Sequence, residues 1–178
     1  FFIQAVGLLI NEYWGIFVLQ GVSLSVTLWI WYKMISLFQK NIWIKFGIII
    51  IALLFFFGYC ERGNLCEEWS LPYISLLIYL FVKHWPDGMR LSGKEWFIVG
   101  VCTTTVIFIR ANNIAPTLGF AIYSISSEII KKEKSLIQHL LMGLLGCVLV
   151  AGFWIVFFLL YYGKDALSWM IYGSFLFN

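Results

Sequence analysis

The 178-residue chain is 62% hydrophobic and only 12% charged, with a net charge of +3 and a mean hydropathy of +0.91. A soluble domain carries about 25% charged residues, so this composition excludes an ordinary water-soluble globule and fits a chain solvated by lipid. The weak positive charge sits in turns between apolar runs and gives no basis for a nucleic-acid partner.

In chain order, Phe1–Ile10 is apolar but too short to cross ~30 Å of hydrocarbon, so it is expected as an interfacial helix, residues 1–12, ended by Asn11-Glu12. The sequence opens inside this apolar run with neither Met nor a charged leader, and it reads as part of a longer chain. A first span is predicted over Trp14–Phe38, with Trp29, Trp31, Tyr32 and Lys33 at its inner end. Lys40–Lys45 then makes a tight turn into a second span, Ile42–Tyr59, built almost wholly of Ile, Leu and Phe.

The polar loop Cys60–Glu68 follows. Cys60 and Cys66 flank it closely enough for a disulfide, whereas Cys102 and Cys147 lie in apolar runs as small core residues. A third span is expected to start near Ser70 as a cap, with Pro72 in its first turn, and to end at Lys83-His84-Trp85-Pro86-Asp87-Gly88.

Trp96–Ser127 is too long for one ordinary span. Two spans joined near Arg110-Ala111-Asn112-Asn113-Ile114-Ala115-Pro116 fit better, because Asn113 suits a turn and Pro116 suits the first turn of a returning helix. Glu128–Lys134 is expected as a loop and Ser135–Tyr162 as the last span. Residues 164–178 are expected as an outer amphipathic segment. The expected fold is therefore all-α: one membrane-embedded domain, a polytopic bundle of about six spans within 13–163, with short interfacial helices at both ends.

Six crossings sort the basic residues by side. Alternate connections collect Lys33, Lys40, Lys45, Lys83, Arg90, Lys94, Lys131, Lys132 and Lys134, and the opposite side receives only Arg62, Arg110 and Lys164. Nine against three orients the lysine-rich turns toward the cytoplasm. The chemically unusual residues then lie outside it.

Those residues are few. Glu67-Glu68 stands at the start of a span, where the helix dipole favours ionised carboxylates that could hold a sugar hydroxyl or stabilise charge; a solvated cap on a loop is the alternative. Arg110, flanked by Asn112 and Asn113, offers a planar guanidinium with neighbouring amides, a donor set suited to phosphate. A snorkelling Arg in a turn, or an ion pair with Glu67 or Glu68, would explain it without a ligand. Arg62 and Asn64 in the preceding loop are weaker contacts of the same kind. His84 and His139 belong to no catalytic motif; His139 reads as a satisfied interface residue. No phosphate loop, nucleophile elbow or zinc motif is present, and no metal ligand set is assigned, though a divalent cation remains open as an assistant.

Three segments, Gly63-Asn64-Leu65-Cys66-Glu67-Glu68-Trp69-Ser70-Leu71-Pro72-Tyr73, Phe108-Ile109-Arg110-Ala111-Asn112-Asn113 and Tyr172-Gly173-Ser174-Phe175-Leu176-Phe177-Asn178, occur in this order. Together with the opening Phe1–Leu8, they resemble bacterial integral-membrane glycosyltransferases of the GT-C type, the protein-mannosyltransferase-like group. The resemblance implies a multi-pass enzyme of the bacterial cytoplasmic (inner) membrane. Such an enzyme takes a sugar from a polyprenyl-phosphate carrier and delivers it to a lipid, glycan or protein acceptor on the cell-envelope side. It places Glu67 or Glu68 near donor or acceptor, makes Arg110 a contact for the lipid phosphate, and puts the main catalytic carboxylate in an outer loop upstream of Phe1. A lipid-linked-glycan transporter and a non-catalytic membrane subunit or remnant are the competing expectations.

Overall fold

A computed structural model describes residues 2–59, 66–88, 90–132, 134–165, 168 and 172. Regular structure among them is helical throughout, without a strand. The helices are α1 (Phe2–Ile10), α2 (Gly15–Ser36), α3 (Ile42–Tyr59), α4 (Cys66–His84), α5 (Gly93–Ile109), α6 (Ala115–Ile130) and α7 (Leu136–Tyr161), with a single 3-10 turn at Ala111–Ile114. They fall into two compact units, Phe1–Lys83 and His84–Asn178.

In the first unit, α1 doubles back on α2. Asn11 causes the reversal: its Oδ1 accepts from the amides of Tyr13 and Trp14, each at 2.9 Å. Gly7 then lies against Gly15, and a Cβ on Gly15 would collide with the Gly7 carbonyl. The α2–α3 turn is closed by Asn41, whose Oδ1 accepts from Trp43 N–H at 2.9 Å. Lys45 is nearly buried here, with its ammonium 5.0 Å from the centre of the Tyr32 ring. A cation over an aromatic face keeps partial compensation when it leaves water.

Two side-chain bonds set the direction of α4. Gln20 meets Glu68 near the starts of α2 and α4, and Trp31 Nε1 donates to Ser75 Oγ at 2.9 Å further along both. These two helices therefore run parallel, and α3 supplies the return between them.

In the second unit, α5 begins with a reciprocal cap. Ser92 Oγ meets the Glu95 amide, and the Glu95 carboxylate accepts from Ser92 N–H at 2.9 Å. Two orphan amides of the first turn are thereby satisfied. Arg110 ends α5 with an extended backbone (φ −163°, ψ 118°), and Pro116 follows in the first turn of α6. The interruption expected at Arg110–Pro116 is present. α6 closes at Lys131 and Lys132, the latter left-handed at φ 52°.

Packing of α5 on α7 is backbone against backbone. A side chain on Gly100 would strike the Gly143 carbonyl, and one on Gly146 would strike the Phe97 carbonyl and the Val101 amide. Cys147 Sγ reaches the Gly100 carbonyl at 3.6 Å. Small residues at these positions are what permit so close an approach of the two backbones.

Helices α2 and α7 are long and apolar enough to cross a membrane, and α3 adds a shorter apolar stretch, Ile42–Phe56. In α7 only Gly146 and Trp154 are buried, while Leu141, Leu144, Val148, Phe153 and Leu160 are exposed. The buried helix of a soluble core would show the reverse pattern. Helices α5 and α6, at about 26 and 24 Å, fall short of the ~30 Å hydrocarbon thickness.

Two element boundaries differ from expectation. Helix α4 starts at Cys66 rather than near Ser70, which leaves Pro72 inside the helix and the Ser70 hydroxyl donating back to the Glu67 carbonyl at 2.8 Å. Only one backbone bond is forfeited, the one Pro72 cannot donate to Glu68. Helix α6 runs through Glu128 to Ile130, so Glu128 is helical, not part of the following loop. The amphipathic segment expected over 164–178 and the loop Cys60–Leu65 lie largely outside the described residues, and with them the Cys60–Cys66 disulfide.

Candidate functional site

The two expected carboxylates are adjacent in sequence and opposite in environment. Both occupy the first turn of α4, where unpaired amides and the helix dipole favour negative charge. Glu67 is exposed, whereas Glu68 is 4% exposed and accepts from the Gln20 amide of α2. Glu68 is held between helices. Next to it Trp69 and Ser70 are also buried, so this end of α4 is rigidly seated in the first unit.

Arg110 lies in the second unit at the junction of α5 and the 3-10 turn, half-buried. Its N–H bonds to the Val106 carbonyl at 2.9 Å, and its own carbonyl accepts from Asn113 N–H at 3.0 Å. Asn112 contributes backbone to the same turn, and Asn113 is half-buried there. Arg110 and Asn113 are thus brought together by the turn itself. The extended residue swings the chain from one helix axis to the next. Arg62 and Asn64 lie outside the described residues.

A second polar cluster was not foreseen as a unit. Glu128, 3% exposed, accepts from Trp96 Nε1 at 2.7 Å and meets His139 Nδ1 at 3.0 Å. The imidazole lies nearly parallel to the Trp96 ring, 22° between planes and 6.4 Å between centres. His84 pairs with Glu95 at 2.8 Å. Both histidines of the chain therefore have a carboxylate partner. Gln20 was missed as well, although a lone amide in the apolar run Tyr13–Tyr32 is a visible signal. Among the described residues, no group of three or more His, Cys, Asp or Glu gathers in a way that could hold a metal ion.

No protein-family model matches this chain, and neither curated protein sequences nor solved structures give a match. Chemistry at these positions is therefore argued from the side chains themselves.

Proposed function

We propose that the chain is part of a multi-pass membrane glycosyltransferase that moves a sugar from a polyprenyl-phosphate donor to an extracytoplasmic acceptor. The observation that carries this reading is the corner at Arg110, a half-buried residue that joins α5 to the 3-10 turn and whose carbonyl accepts from Asn113 N–H. An Arg next to hydrocarbon is costly and marks function more often than a loop Arg does. Its planar donors match a phosphate, and a phosphate attached to a lipid arrives at that depth.

In this reading α2 to α7 are six crossings of the bacterial cytoplasmic membrane, with α1 at its outer surface. The parallel course of α2 and α4 supports alternating passes in the first unit. Parallel packing of α5 and α7 supports the same in the second. Basic residues in the turns orient these passes with the lysines inside.

Transfer breaks the bond between the anomeric carbon and the donor phosphate as an acceptor hydroxyl attacks that carbon. The hydroxyl proton passes to a carboxylate, which the resemblance places in an outer loop upstream of Phe1, and the phosphate leaves on its lipid with its charge met by Arg110. The resemblance puts Glu67 or Glu68 near donor or acceptor; within the first unit Glu67 is the exposed one of the two, and Glu68 anchors the head of α4. The resemblance of the Gly63–Tyr73 and Phe108–Asn113 segments to GT-C enzymes supports the same assignment.

The test is binding and transfer of a fluorescent polyprenyl-phosphate sugar by the full-length protein. Arg110→Ala should weaken donor binding by about 1.5–3 kcal/mol, roughly 10- to 100-fold. Glu67→Gln should reduce transfer while leaving donor binding intact. Unchanged binding in the first and unchanged transfer in the second would rule the assignment out.

A further inference from the structure

Five of the seven Lys and Arg residues of the second unit lie at one end. Lys94 lies in the first turn of α5, Lys131 and Lys132 at the close of α6, and Lys134 just before α7. The Trp96–Glu128–His139 cluster ties these three helix ends together. Lys131 extends the same surface by reaching the Gly88 carbonyl, which also accepts from Ser127 Oγ at 3.0 Å. Arg90, Lys94, Lys131, Lys132 and Lys134 are all exposed, and Asp87 is the exposed acid of this end among the described residues.

The other two described acids of this end, Glu128 and Glu95, are engaged internally. Glu128 is 3% exposed, with its oxygens facing Trp96 and His139; Glu95 accepts from Ser92 and pairs with His84. The side chains of Lys94, Lys132 and Lys134 make no hydrogen bond or ion pair among the described residues. On the same elements Trp85 and Tyr123, 55% and 43% exposed, stack with ring centres 6.0 Å apart. Exposed Trp and Tyr beside lysines are the side chains that favour the headgroup layer of a bilayer. From this end α7 departs as an apolar helix with most of its surface uncovered.

We propose that this end of the second unit binds the phosphodiester headgroups of anionic phospholipids in the leaflet that α7 enters. The inference rests on the membrane part of the function proposed above and assigns the lipid class. Ammonium groups act as point charges toward phosphate without demanding a fixed geometry, and the attraction decays within about 10 Å at 0.1 M salt. A fluid surface of anionic headgroups suits such a mobile set of cations.

The experiment reconstitutes the full-length protein in bilayers of phosphatidylcholine alone and in an equal mixture with phosphatidylglycerol, and compares unfolding temperatures. The wild type should unfold at a higher temperature in the mixed bilayer. Added salt should shrink that difference. The triple variant Lys94→Gln, Lys132→Gln, Lys134→Gln should lose most of it, and the corresponding triple Lys→Arg variant should keep it. Equal unfolding temperatures in the two bilayers, or a difference undiminished in the Gln variant, would overturn the proposal. So would soluble glycerophosphoglycerol reproducing the whole stabilisation in phosphatidylcholine, which would identify a free anion as the ligand. If the Gln variant is unstable in phosphatidylcholine itself, the Arg variant decides: loss of the difference there overturns the charge argument. Recovery of the protein outside the membrane fraction would instead refute the membrane reading.

Discussion

The Glu68 carboxylate of α4 accepts a hydrogen bond from the Gln20 amide of α2, 48 positions earlier in the chain. That bond separates two carboxylates which sequence alone treats as a pair. Gln20→Leu removes the donor while Glu68 stays buried, and should cost about 1–3 kcal/mol of stability. Glu68→Gln keeps an acceptor oxygen and should cost less. Thermal unfolding of both variants in one detergent ranks them; the opposite ranking would mean that Gln20 contributes little to holding α4.

Close approach of α5 and α7 makes a second prediction. Gly146→Leu would drive a side chain into the Phe97 carbonyl, and overpacking of this kind costs about 1–3 kcal/mol. Gly21 of α2 has nothing within 4 Å of an added Cβ, so Gly21→Ala should be neutral or stabilise by about 0.5–1 kcal/mol. Comparing their melting temperatures tests whether the α5–α7 contact is as tight as the backbone distances require.

Trp96 and Glu128 should behave as a coupled pair. Trp96→Phe leaves a buried carboxylate short of one donor, and Glu128→Leu leaves the indole N–H without its acceptor. The double variant should lose less stability than the sum of the two, by about 0.5–3 kcal/mol. A double-mutant cycle of unfolding free energies measures this directly. Strict additivity would mean that the contact carries no energy.

Sidedness can be read with an impermeant thiol reagent on whole cells, in a protein whose natural cysteines have been replaced. Asn64→Cys and Asn112→Cys should react from outside, whereas Lys94→Cys and Lys134→Cys should react only after permeabilisation. Labelling of position 94 in intact cells would invert the orientation of α5.

Much of the helical layout could be read from residue pattern. The Ile, Leu and Phe run at Ile42–Tyr59 is α3 with the same bounds, and the Arg110–Pro116 segment breaks the chain because Asn and Pro there favour a turn and a helix start. Less legible was the environment of single polar groups. Glu128 follows Ser126-Ser127 and precedes two lysines, a context that resembles a solvated loop; its burial depends on an indole 32 positions away and an imidazole 11 positions away. Glu67 and Glu68 are chemically identical in sequence, and only the rotation of α4 about its own axis, with Glu68 facing Gln20, leaves one exposed and the other buried. The α5–α7 contact did leave a trace in the spacing of Gly143, Gly146 and Cys147, small residues on an otherwise bulky helix.

Gly100 and Gly143 interlock although α6 and both of its connecting turns lie between them in the sequence. The pair can close only after some forty residues of intervening chain have been threaded into place, as a 43-residue separation requires. Biosynthesis therefore has an order imposed on it: α5 must wait, with its glycine face uncovered, until α7 emerges. Synthesis halted before Leu136 would leave that face without its partner.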